Sequence, residues 1–157
     1  MGDLIAKLVR REARVGVVGL GYVGLPLATA FANVGFDVLG FEVDQSKADA
    51  ITAGRSYIPD VPQAEVARLA ASGHLAATTD FSQLSTCDAV SVCVPTPRRK
   101  TRDPDRTYIV EATKSIARHL RKGQLIVLES TTYPGTTVEV VAPQLEAAGH
   151  RVGVDFH

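Results

Sequence analysis

Net charge is the first thing this sequence lacks: seventeen Lys and Arg offset seventeen Asp and Glu. Without a positive field, neither nucleic acid nor an anionic membrane is an expected partner. Cysteine is also scarce. Cys87 and Cys93 are too few for a disulfide framework, and their spacing of six fits no zinc pattern. The histidines His74, His150 and His157 likewise have no ligand spacing among them. Apolar runs are strand-sized, which excludes a membrane-spanning helix. The first ten residues lack the apolar core and cleavage site of a signal peptide. A reducing, cytoplasmic location is the expectation.

What is present is ordinary for a globular chain: 45% hydrophobic and 22% charged over 157 residues, enough for one domain with a good core. Residues 1–13 read as an amphipathic lead-in helix, with Leu4, Ile5, Leu8 and Val9 at helical spacing. Strands are expected at RVGVVGL, FDVLGFEV, HLAATTD, DAVSVCVPTP and QLIVLEST, with the start of another at HRVGVDFH. Helices are expected from Tyr22 to Val34, after Asp44 to Gly54, over QAEVARLAASG, over TYIVEATKSIARHLRKG and over TTVEVVAPQLEAAG. Strands alternate with helices and read as continuous Val/Ile/Leu runs. The expected class is α/β, a doubly wound parallel sheet with helices on both faces. In such a sheet ligands bind at the carboxyl ends of the strands, so residues just after strands carry the most weight.

The first of these is the glycine loop Gly19-Leu20-Gly21-Tyr22-Val23-Gly24. It follows a strand and opens a helix, the context a Rossmann-type dinucleotide fingerprint requires. Gly19 permits the tight turn, Gly21 lets the backbone approach a pyrophosphate, and Gly24 lets the helix pack on the sheet. Tyr22 and Val23 offer backbone N–H groups to the phosphates at the helix N-terminus. Glu42, eighteen residues after Gly24, ends the second strand and is placed to accept both hydroxyls of an adenosine ribose. Asp44 is the rival, but it suits a helix cap. A carboxylate at this position repels a 2′-phosphate, which favours NAD over NADP. Lys47 is placed to lean over the same ribose. The competing explanation is a glycine turn with an unrelated acidic residue.

Two further strand ends are polar. Thr96, between Pro95 and Pro97, keeps the local hydroxyl and N–H, although a strand stop with a capping threonine explains it equally well. Glu129, Ser130, Thr131 and Thr132 crowd a carboxylate and three hydroxyls at the end of a buried strand. A partly desolvated carboxylate can act as a base, and a threonine hydroxyl can hold a water or steady an oxyanion. A helix cap needs only one of these residues. Arg98 to Arg102, RRKTR, reads as a solvated loop, and the cations around His119 suit a helix C-terminus.

GLGYVGLPLA, VCVPTP and LIVLESTTYPGTT, in this order and spacing, resemble the N-terminal NAD-binding domain of nucleotide-sugar 6-dehydrogenases. The forms VPTP and ESTTYPGTT are most similar to the UDP-N-acetylglucosamine and UDP-N-acetylmannosamine branch, with the UDP-glucose branch close kin. The resemblance implies oxidation of a UDP-sugar C6 alcohol to a carboxylate in two hydride transfers to NAD. It implies that the glycine loop, Glu42 and Lys47 hold the adenosine half. Thr96 would then lie along the path to the nicotinamide, and Thr131 near the reaction centre. The family more often has Asp where this chain has Glu42.

The same resemblance casts residues 1–157 as an N-terminal fragment. The central dimerising helix, the sugar-nucleotide domain and the catalytic lysine, asparagine and cysteine would lie beyond it. Full-length members are expected to be homodimers. Cys87 and Cys93, in and before an apolar strand, read as structural thiols and not as that nucleophile. The fragment is therefore expected to bind NAD without turnover. An NAD-dependent hydroxyacid dehydrogenase shares the glycine loop but leaves ESTTYPGTT unexplained, and a stand-alone NAD-sensing module is the reading from another class.

Overall fold

Val and Ile runs bounded by glycine turns become short buried strands, and the amphipathic segments between them become covering helices. A computed structural model describes residues 2–97 and 106–157. The strands are β1 (Arg14–Val18), β2 (Asp37–Phe41), β3 (Leu75–Thr78), β4 (Ala89–Val92) and β5 (Leu125–Leu128). The helices are α1 (Gly2–Arg10), α2 (Gly24–Asn33), α3 (Gln45–Thr52), α4 (Gln63–Ala71), α5 (Thr107–His119) and α6 (Ala142–Ala147).

All five strands pair in parallel, in the order β3-β2-β1-β4-β5. The chain thus winds outward from β1 in one direction, returns, and winds outward from β4 in the other. The point of reversal lies between β1 and β4, where Val18 is in register with both Phe41 and Val92. One core layer packs Val17, Leu25, Ile51, Val66 and Leu69 on one face of the sheet. The other packs Phe41, Leu84, Val90, Ile109, Ile116 and Leu145 on the opposite face.

The amino end of the sheet is tied by one carboxylate. Asp88 Oδ2 accepts from the Arg14 N–H at 2.9 Å. Its Oδ1 accepts from Lys7 Nζ at 3.0 Å and Arg121 Nη2 at 2.6 Å. Burial alone would raise this carboxyl, but the three donors outweigh it and hold it below the usual range. The lead-in helix is thereby pinned to β4 and to the end of α5, with Leu4 as its buried side chain.

Elsewhere the structure departs from the sequence pattern for local reasons. Helix α5 stops at His119, short of Gly123, and Leu120 is extended. The Gln124 side chain accepts the Arg121 N–H and donates to the Leu84 and Cys87 carbonyls, which offers the chain a better set of bonds than another helical turn. A 3-10 helix, Phe81–Thr86, forms where no element is expected, capped by Asp80 accepting from the Ser82 N–H. The expected helix after Gly135 is a π-helical turn, Thr137–Val141, running into α6. The widening precedes Pro143, whose ring and missing N–H a regular helix cannot accommodate.

The final segment forms only a turn, closed by Asp155 accepting from the Arg151 N–H. Just Phe156 and His157 then run beside β5. No helix among the described residues is long and apolar enough to cross a membrane.

Candidate functional site

The glycine loop crosses the point of reversal, and each of its glycines has a distinct steric reason. Gly19 has φ +89°, and a Cβ there would lie 2.8 Å from the Cys93 carbonyl oxygen. A Cβ on Gly24 would lie 1.7 Å from the Gly19 carbonyl oxygen, so close packing of α2 on the loop requires its absence. Among the described residues a Cβ on Gly21 would meet nothing within 4 Å, because that face opens into a cleft. The N–H groups of Gly21, Tyr22 and Val23 find no acceptor among the described residues. They sit at the start of α2, where Val23 supplies no side-chain cap. Three free donors at the positive end of a helix make an anion cradle.

Glu42 is buried at the tip of β2. Its Oε2 accepts from the Leu20 N–H at 3.1 Å and its Oε1 from the Val43 N–H at 2.9 Å. The carboxylate is therefore fixed against the glycine loop with lone pairs to spare, the geometry a ribose diol needs. Asp44 takes the other expected role. It caps α3 by accepting from the Ser46 N–H at 2.9 Å and Ser46 Oγ at 2.6 Å, and these bonds hold its carboxyl below the usual range. Lys47 lies half-buried in the first turn of α3, its Nζ 5.8 Å from the centre of the Tyr57 ring.

The cleft has a volume of about 970 Å³. It brings together Gly19, Gly21, Tyr22, Val23, Glu42, Lys47, Thr96, Glu129 and Thr131. Gly24 is buried in the first turn of α2 and is not part of its lining. Thr96 is half-buried, whereas Glu129 and Thr131 are exposed at the rim. Ser130 joins the tips of β4 and β5 by donating to the Val92 and Val94 carbonyls at 3.2 and 2.9 Å. Thr132 and Thr136 pair through their hydroxyls at 3.0 Å, while Ser130 and Thr131 line the cleft. Cys93 forms part of the floor. Burial, then the charge of Glu129, pushes its thiol up to about 11. Burial also raises Cys87. Neither is a thiolate at neutral pH, so neither is an activated nucleophile.

Sequence reasoning passed over several residues of this wall. Tyr108, Glu111, Ala112 and Ser115 line the cleft from one face of α5, and their helical spacing was the available signal. Phe81 enters from the 3-10 helix, and Tyr57 from the loop after α3, where no periodicity marks it. The RRKTR run lies outside the described residues. No cluster of metal-ligating side chains occurs among the described residues.

A five-stranded parallel sheet reversed at its centre, a glycine turn under a helix N-terminus and a carboxylate clamped at the second strand tip together define a Rossmann-type dinucleotide-binding domain. Residues 13–157 match the model of the NAD-binding domain of the UDP-glucose/GDP-mannose dehydrogenase family. The UDP-N-acetyl-D-glucosamine 6-dehydrogenase of Pseudomonas aeruginosa is 39% identical over 147 residues, covering 93% of this chain and 34% of that protein. The UDP-N-acetyl-D-mannosamine dehydrogenase of Salmonella typhimurium is 41% identical over 143 residues, covering 90% and 33%. Among solved structures, a ternary complex of GDP-mannose dehydrogenase from Pseudomonas aeruginosa superposes with a TM-score of 0.87 at 35% identity, over 92% of this chain and 34% of that one. The chain belongs to the UDP-glucose/GDP-mannose dehydrogenase family as its NAD-binding domain, and its cofactor is NAD. It spans about a third of the length of the relatives it matches.

Proposed function

We propose that this chain is the NAD-holding part of a nucleotide-sugar 6-dehydrogenase acting on a UDP-N-acetylhexosamine. The observation that carries the reading is the convergence of the glycine loop, Glu42, Thr96 and Thr131 on one cleft from four separate strand ends. The Gly21, Tyr22 and Val23 N–H groups bind the pyrophosphate and Gly19 shapes the turn. Gly24 brings the helix dipole close. Glu42 accepts the adenosine ribose hydroxyls, with Lys47 beside them. Thr96 continues the wall toward the nicotinamide. Thr131 holds a water or the sugar hydroxyl at the reacting end, and Glu129 stands beside it to take a proton.

Bound NAD supplies the hydride acceptor. The relatives' names support a UDP-N-acetylhexosamine as the alcohol oxidised. A homodimer in the cytoplasm is the assembly and location we infer for the whole enzyme, and two buried free thiols suit a reducing compartment.

Because both thiols of this chain are buried and raised, neither serves as the nucleophile for the covalent half of an alcohol-to-acid oxidation. Mixed with NAD and UDP-N-acetylglucosamine or UDP-N-acetylmannosamine, the chain is expected to bind NAD without steady growth of NADH absorbance. Sustained NADH production would overturn this assignment of roles.

A further inference from the structure

Leu20, between the first two glycines of the loop, is gripped on three sides. Its side chain is fully buried against β2, within 2.5 Å of where a Gly40 Cβ would be. Its N–H donates to Glu42 at 3.1 Å. Its carbonyl accepts from the Tyr57 hydroxyl at 2.8 Å. The two peptide units of Leu20 are thus held separately. Glu42 fixes the Gly19–Leu20 unit and Tyr57 fixes the Leu20–Gly21 unit.

We propose that Tyr57 is a positioning residue for the dinucleotide: it fixes the direction of the Gly21 N–H and the place of Lys47 before the ligand arrives. In a trans peptide the C=O and the following N–H point in opposite directions. A hydrogen bond from Tyr57 to the Leu20 carbonyl therefore turns the Gly21 N–H away from Tyr57. That N–H is one of the three donors with no acceptor among the described residues.

Such a clamp is needed because the unit ends on glycine, the residue whose backbone rotates most freely. An unfixed Gly21 N–H would have to be ordered at the moment of binding, at a cost in affinity. The Tyr57 ring has a second effect, since Lys47 Nζ lies 5.8 Å from its centre on the ribose side of the cleft. Burial, followed by the charges of Glu42 and Asp44, raises the phenol well above its ordinary value, so Tyr57 remains a donor throughout the working pH range.

The inference rests on the reading of this cleft as the NAD site, and two titrations separate the two. Tyr57→Phe keeps the ring and its packing and removes only the hydroxyl. The variant is expected to bind NAD and ADP about 5–10-fold more weakly than wild type, the worth of one hydrogen bond. Adenosine, which has no pyrophosphate to meet Gly21, is expected to bind both proteins alike. The backbone 15N order parameter of Gly21 in the ligand-free variant is expected to fall while those of β1 hold.

Equal NAD affinity in the two proteins, or an equal loss for adenosine and ADP, would overturn the role given to Tyr57. An unchanged order parameter at Gly21 would do so as well. A wild-type chain that binds no NAD would instead remove the site itself, and this inference with it.

Discussion

Alanine in place of Gly24 is expected to weaken NAD binding by at least ~100-fold. The added carbon would lie 1.7 Å from the Gly19 carbonyl oxygen, 2.9 Å from the Gly19 carbonyl carbon and 3.2 Å from Cys93 Cβ. Gly19 cannot retreat. Its N–H is bonded to the Phe41 carbonyl at 2.8 Å, and its other side already faces the Cys93 carbonyl. The helix must therefore lift off the loop, and the N–H cradle opens with it.

Gly21→Ala makes the contrast. Nothing among the described residues lies within 4 Å of the new methyl, so thermal stability is expected to hold. NAD binding still falls, because the methyl occupies the ligand's approach. Calorimetry and thermal unfolding of both variants check the pair. A Gly24→Ala protein that binds NAD like wild type would refute the close-packing role.

Replacing Asp88 with alanine is expected to cost about 2–3 kcal/mol of stability at neutral pH and leave NAD affinity unchanged. The carboxylate is buried and joins α1, β1, β4 and the end of α5. Its loss strands the Arg14 N–H, while Lys7 and Arg121, about a third exposed, can turn to water, which limits the cost. The carboxyl's native pKa is depressed, so its contribution is complete above the unfolded value near ~4. It disappears as pH falls through the lower native value. The deficit of the variant is therefore expected to shrink in acid, as urea unfolding at several pH values would reveal. Asp88 precedes β4, at the opposite end of the sheet from the cleft, and so leaves binding untouched.

The residues differ in how far the sequence alone disclosed them. The β-branched runs, the glycine stops and Asp44 as a cap were legible because each is a local rule with a local cause. The glycine loop and Glu42 were legible because a fixed spacing links strand, turn and helix. Tyr57 was not, since its importance comes from a loop folding back on Leu20, 37 residues away in the chain. The early end of α5 was hidden for the same reason: Gln124 reaches Leu84 and Cys87 across the fold. The π-helical turn had a signal in Pro143, but the helical pattern around it masked that signal.

The central claim is that the cleft takes NAD and that Glu42 selects it. Glu42 is held by the Leu20 and Val43 N–H groups and cannot swing aside for a 2′-phosphate. Two negative groups in contact at such a site repel by several kcal/mol. Calorimetric titration of the chain with NAD and with NADP, side by side, measures this directly. The account predicts saturable NAD binding and NADP weaker by at least ~30-fold. NADP binding as tightly as NAD, or no NAD binding by the folded chain, would contradict it.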